Sequence, residues 1–155
     1  MTYIVYFLII FTLVCNDQIS KFLVSTFIPL NSKKVIIENF FSLYHTRNTG
    51  IAFSMFEGQQ GLFKVLTVIA LIVFIYLLLD KKKKSKIEIA SLLLMTGGCI
   101  GNFIDRIRFN YVVDFLSFRF FGYDFAIFNL ADCFLTIGAG LYLILLIKEV
   151  YNAKH

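Results

Sequence analysis

Apolar residues dominate four stretches of the chain, at about 3–27, 62–79, 87–109 and 129–147. As helices rising 1.5 Å per residue, each is long enough to cross about 30 Å of hydrocarbon, so the pattern predicts four membrane-spanning helices. The second and fourth are the cleanest. The first carries Asp17 and Lys21, and the third carries Glu88, Asp105 and Arg106. Between spans, residues 35–44 and 115–128 are rich in β-branched and aromatic side chains, which predicts short strands lying on the membrane surface. Phe118, Phe120, Phe121, Tyr123, Phe125 and Phe128 are equally suited to anchoring at the lipid–water boundary. With no internal repeat and no separate soluble segment, residues 1–155 read as one membrane-embedded domain, an all-α membrane fold with short β-rich outer loops.

Composition agrees with this reading. Apolar residues make up 59% of the chain, where about 45–50% is usual for a soluble domain. Charged residues make up 16%, where about 25% is ordinary. A soluble fold of this length cannot hide so much apolar surface, and one Pro with nine Gly excludes a disordered or fibrous chain. The net charge of +5 comes from one run, Lys81, Lys82, Lys83, Lys84 and Lys86, without interleaved base-stacking aromatics. It therefore implies no nucleic-acid partner. In a short loop such a run marks the cytoplasmic side, which puts both termini in the cytoplasm, Lys148 and Lys154 agreeing, and turns residues 28–61 and 110–128 outward. Cys15, Cys99 and Cys133 have no metal-ligand spacing and are expected to be free thiols. Cys15 follows an apolar stretch, but the stretch lacks a basic start and Thr12-Leu13-Val14 is a poor cleavage site, so the segment is expected to be retained.

Depth gathers the scattered charges. Asp17 lies about 21 Å up the first helix and Lys21 about 6 Å further; Asp105 and Arg106 lie roughly 27 Å along the third. The fourth helix enters from outside, so Asp132 is about 5 Å below its start, and Asp114 sits just beyond the third. All fall in the outer leaflet. Ionisable residues there must pair or face water, and they mark a site either of chemistry or of assembly. Asp17 and Lys21, spaced i and i+4, suit an intrahelical ion pair, whereas Asp105 and Arg106 point to different faces and suit pairing across helices.

Asp114 and Asp132 lack an obvious cation, the nearest in sequence to Asp114 being Arg108 and Arg119. Brought together, two such carboxylates cannot both ionise cheaply, and the shared proton suits acid–base hydrolysis of a peptide bond. Solvated or helix-capping carboxylates are the alternative. GxSxG and HExxH are absent, and His45 (a loop residue) and His155 support neither a serine triad nor a zinc site, so neither metal nor cofactor is expected. Asp124 has no evident partner. Gly97-Gly98-Cys99-Ile100-Gly101 holds a GxxxG spacing that favours close helix packing, and Asn48-Thr49-Gly50 reads as a turn whose amide can also hold a substrate backbone.

Five fragments in order then carry a resemblance: Asp17-Gln18-Ile19-Ser20-Lys21, Arg47-Asn48-Thr49-Gly50-Ile51-Ala52-Phe53-Ser54, residues 97–106 ending in Asn102-Phe103-Ile104-Asp105-Arg106, Val112-Val113-Asp114-Phe115, and Phe128-Asn129-Leu130-Ala131-Asp132. On these the chain resembles the lipoprotein signal peptidases, also called signal peptidase II. The resemblance implies an aspartic endopeptidase of the bacterial cytoplasmic membrane, with Asp114 and Asp132 as its catalytic pair. It further implies a prolipoprotein substrate whose Cys carries diacylglycerol, cut just before that Cys. By the same resemblance Asn48, Gly50, Asn102, Arg106, Asn129 and Ala131 line or support the site, Asp17, Lys21 and Asp105 are structural, and Ile51 and Cys99 carry no chemistry. Membrane lipid and the lipidated precursor are the expected partners, a monomer the expected state, and the aromatic outer loops are expected to close over bound substrate. Two other classes compete, a transporter using the charges as an ion site and an assembly factor. Transporters favour the midplane and repeated halves, neither of which is present.

Overall fold

A computed structural model of the chain describes residues 2–50 and 59–154, so Ile51, Ala52, Phe53, Ser54 and His155 lie outside the described residues. Four helices, α1 (Thr2–Phe27), α2 (Gln60–Leu79), α3 (Lys86–Phe109) and α4 (Leu130–Lys154), are long and apolar enough to cross a membrane. The expected spans match them closely except that α4 runs on past residue 147. Hydropathy marks where hydrocarbon ends, but nothing from Lys148 to Lys154 breaks a helix, so the backbone continues.

Helix α3 is the hub. Its most apolar window is 56% buried, against 11–17% in the other three, which leave most of their surface for lipid. Ser85 caps its start by accepting the Glu88 N–H at 3.1 Å, and Asn110 ends it in the left-handed conformation at φ 59°. The packing predicted for the glycine run is present: a Cβ on Gly97 would lie 2.9 Å from Leu13 of α1, and one on Gly98 would overlap the Ala131 carbonyl of α4 and meet Leu135 at 2.9 Å. One glycine face thus admits α1 and the adjacent one admits α4. All three cysteines are free.

The outer segments do form strands, and they pair with each other. The sheet runs β1 (Lys33–Ile37), β2 (Phe41–Asn48), β3 (Val112–Phe120), β4 (Tyr123–Asp124) in that order, antiparallel throughout. Its base docks on the helix ends through Val24, Ile28 and Phe115, with Leu43 and Leu130 packed beside them. His45 belongs to β2, not to a loop, and its buried ring holds the Ile28 carbonyl at 2.8 Å. Asp124 is not partnerless. The two-residue turn at Phe121 and Gly122, both with positive φ, sets Asp124 opposite Arg119, and the two form a bidentate pair at 2.8 Å. That pair is exposed and contributes little stability, but it removes Arg119 as a partner for Asp114.

The glycine contacts generate a stability prediction. Gly98→Ala should cost about 1–3 kcal/mol, because a methyl group there forces α3 and α4 apart. Gly140→Ala, with nothing within 4 Å, should be neutral or slightly stabilising, both being read as thermal unfolding midpoints in detergent.

Candidate active site

The stripe of buried positions on α1 places Asp17, Lys21 and Val24 towards the bundle. One turn apart, Asp17 and Lys21 form the expected pair at 2.8 Å. The same ammonium reaches Asp105 Oδ2 at 3.1 Å and donates to Asn102 Oδ1 at 3.0 Å, both on α3. Asp17 and Asp105 are 0% and 1% exposed, so every remaining lone pair needs a donor. Asp17 Oδ1 accepts the Ala131 N–H at 3.0 Å, a free donor of the first turn of α4, and Asp105 Oδ2 accepts the Val113 N–H of β3 at 3.1 Å. Gln18 fills the rest, donating to Asp17 Oδ2, the Gly101 carbonyl and Asp105 Oδ1.

This framework aims the other two carboxylates. Lys21 can only donate, so the Asn102 carbonyl faces it and the Asn102 amide N–H turns to Asp132 Oδ1 at 2.7 Å. Asn129, immediately before α4, accepts the Asp132 N–H at 3.0 Å, while Asp132 Oδ2 accepts the Asn129 N–H at 3.1 Å, a reciprocal cap. The Asn129 side-chain N–H groups reach Asn102 Oδ1 at 3.1 Å and Asp114 Oδ1 at 2.7 Å. Asp114 is on β3, with Thr46 opposite and Asn48 diagonal on the same face, which lets Asn48 Nδ2 donate to Asp114 Oδ2 at 2.8 Å. The predicted turn is also there, Asn48 Oδ1 accepting the Gly50 N–H at 2.9 Å.

Asp114 and Asp132 are thus bridged by two amides, and among the described residues no cation lies within salt-bridge distance of either. Burial, and next the nearby Asp132 carboxylate, push the Asp114 carboxyl up to about 7, against the pull of its two amide donors. Asp114 is therefore able to hold a proton near neutral pH.

Both open onto one cavity of about 610 Å³, along with Asn48, Gly50, Asn102 and Arg106. Asn129 and Ala131, each 0% exposed, stand behind it as supports. Arg106 departs from the cross-helix pairing expected of it. Its guanidinium lies over the Phe63 ring of α2, 5.6 Å from the centroid, and its buried Nε has no hydrogen-bond partner among the described residues. Lys21 already occupies Asp105, which leaves Arg106 as an uncommitted cation on the cavity wall. Phe125 and Phe128 of the aromatic outer loop stand on that wall, while sequence reasoning missed its α4 part, Cys133, Thr136 and Ile137. The α4 positions continue the face of Asp132 at helical spacing, a signal present in the sequence but indistinguishable there from lipid-facing residues. No metal-binding cluster occurs among the described residues.

Comparison with known proteins points one way. Residues 9–148 match the family described as Signal peptidase (SPase) II. A protein named lipoprotein signal peptidase from Enterococcus faecalis is 46% identical over 151 residues, 97% of this chain and 92% of its own length. Another of that name from Shouchella clausii is 44% identical over 154 residues, 99% and 97% of the two chains. A solved bacterial membrane enzyme, determined by the in meso method at 2.3 Å resolution, superposes with a TM-score of 0.89 at 34% identity, covering 96% of this chain and 90% of that one.

Two measurements test this geometry. Lys21→Met should cost about 3–5 kcal/mol in detergent unfolding, because it strands two buried carboxylates. The Asp114 carboxyl, at about 7 in the folded protein and near 4 unfolded, holds a proton the unfolded chain has lost. Its contribution to stability is full below about pH 4 and fades as pH rises through 7, so Asp114→Asn should flatten the thermal midpoint's pH dependence across that window.

Proposed function

The chain belongs to the signal peptidase II family, whose members remove signal peptides from prolipoproteins, and we propose that it does so as an aspartic endopeptidase using Asp114 and Asp132. The observation that carries this reading is the pair itself: two carboxylates on one cavity, oriented by Asn48, Asn102 and Asn129, with no cation in salt-bridge distance among the described residues. Pure structural carboxylates of this protein look different, since Asp17 and Asp105 are both saturated by Lys21 and backbone donors.

The chemistry follows from one proton shared by two groups. The ionised carboxylate takes a proton from a water whose oxygen attacks the scissile carbonyl carbon, while the protonated one donates to the carbonyl oxygen and stabilises the developing charge. In the resulting tetrahedral gem-diol, a proton passes to the amide nitrogen, the C–N bond breaks, and the carboxyl terminus and free amine leave. One Asp ends protonated and the other ionised, ready for the next turnover. Arg106 and the Asn48–Gly50 turn face the same cavity and are suited to hold the extended peptide backbone through its carbonyl groups.

The substrate proposed is a bacterial prolipoprotein whose Cys is already diacylglyceryl-modified, cut just before that Cys. A signal peptide is an apolar helix that meets water at its cleavage region, so its protease needs a dyad at the end of a span and a wall open to lipid. Asp132 in the first turn of α4, and the apolar α4 face continuing through Ile137, match that need. Orientation follows the lysine run: the α2–α3 loop and both termini cytoplasmic, the dyad near the outer face, and the whole chain one monomeric peptidase unit. The transporter and assembly-factor readings have no comparable support.

Purified protein incubated with a lipidated precursor should release the signal peptide. Asp114→Asn and Asp132→Asn should each lower turnover by on the order of 10²–10⁴-fold or more while the protein remains folded and membrane-inserted. Near-normal cleavage by both single variants would refute the aspartic assignment while leaving family membership untouched.

A further inference from the structure

The end of the bundle opposite the sheet carries a second cavity, of about 240 Å³, that the peptidase chemistry does not use. Tyr3 and Tyr6 of α1, Leu78 of α2, Ile89 of α3 and the loop residues Asp80, Lys81, Lys82 and Lys84 line it. We propose that this cavity binds the phosphate-bearing headgroup of an anionic phospholipid of the inner leaflet, a placement that rests on the cytoplasmic assignment of the lysine loop.

The loop's charge suits a phosphate. Lys81, Lys82 and Lys83 are exposed, and no carboxylate lies within salt-bridge distance of them among the described residues. Lys84 is already committed, its ammonium donating to the Asp80 and Lys82 carbonyls and so folding the loop back on itself. Asp80 also stands on the cavity wall, half-buried, its Oδ1 accepting the Lys82 N–H at 3.3 Å. Against the one Asp80 carboxylate the cavity wall carries the ammonium groups of Lys81, Lys82 and Lys84, so its charge stays positive, and Lys81 and Lys82 are the two not held by the loop carbonyls.

The cavity's shape and lining also suit a lipid headgroup. Tyr3 and Tyr6 pack edge to face with ring centroids 6.1 Å apart, and neither hydroxyl bonds another described residue, so two further donors are available to a phosphate. Leu78 and Ile89 make its floor apolar. Phe7, one turn beyond Tyr3, and Ile75, one turn before Leu79, are 65% and 43% exposed, so acyl chains leaving the cavity continue along helix surfaces already built for lipid. A soluble anion would use the lysines and hydroxyls but not those surfaces. Basic pockets between spans at the cytoplasmic boundary are the setting in which anionic headgroups bind. Orienting the chain requires only the charge of the run, whereas headgroup binding requires the particular lysines that face the cavity.

That distinction sets the test. Full-length protein in phosphatidylcholine nanodiscs should rise in thermal midpoint as phosphatidylglycerol is added. Lys81→Gln/Lys82→Gln should require at least about tenfold more phosphatidylglycerol for the same rise. Lys83→Gln/Lys86→Gln removes the same charge from positions off the cavity and should respond as wild type. Equal weakening of both pairs, or no response at all, would overturn the site in favour of diffuse surface charge. An equal rise produced by inorganic phosphate without phosphatidylglycerol would overturn the lipid as ligand. Labelling of Lys83→Cys by an impermeant maleimide from the outer side of intact cells would overturn the inner-leaflet placement without touching the peptidase assignment.

Discussion

One ammonium group, that of Lys21, holds the polar interior together. It sits 2.8 Å from Asp17, 3.1 Å from Asp105 and 3.0 Å from the Asn102 carbonyl, linking α1 to α3 inside an otherwise apolar bundle. Each of those partners then fixes something else. Asp17 receives the first turn of α4 through the Ala131 N–H, Asp105 receives the start of β3 through the Val113 N–H, and Asn102 presents its amide to Asp132. Buried charges are tolerated only when fully paired and hydrogen-bonded, and here the requirement itself sets the relative positions of three helices and a strand.

The candidate catalytic pair is defined by how the nearby cations are placed, none of the described ones forming an ion pair with it. Lys21 is consumed by the framework, Arg119 by Asp124, and Arg106 lies over Phe63. Asp114 and Asp132 are left with neutral amide donors, which orient a carboxylate without suppressing its affinity for a proton as a cation does. Neutral partners therefore permit Asp114 to titrate near 7, and burial supplies the push. The same geometry gives Asp132 two tasks, since one of its oxygens caps α4 and the other faces the amide of Asn102.

Close packing makes this possible. Gly98 and Gly101 of α3 let the Ala131 turn of α4 and the Asp17 carboxylate approach at distances that any side chain would block. The glycine run and the polar run that follows it are thus one device: small residues bring the helices together, and the polar residues meet where they do. At the opposite end the bundle closes on the lysine loop, so the two ends of one apolar unit differ sharply in chemistry, carboxylates at the sheet and ammonium groups at the loop.

Local rules were enough to read the four spans, the side on which charges gather, the i, i+4 pair of Asp17 and Lys21, and the turn at Asn48, because hydropathy, helical spacing and turn propensity act over a few residues. Motif order singled out Asp114 and Asp132 as the candidate pair. Tertiary structure alone decided their partners. The pairing of β2 with β3 brings Asn48 to Asp114 across 66 positions, helix packing brings Asp17 to Ala131 across 114, and a hairpin turn diverts Arg119 to Asp124. These contacts depend on register and interhelical approach, which no short window of sequence contains. The cavity wall at Cys133, Thr136 and Ile137 was hidden for the same reason: a helix face turned to a cavity and one turned to lipid are written in the same residues.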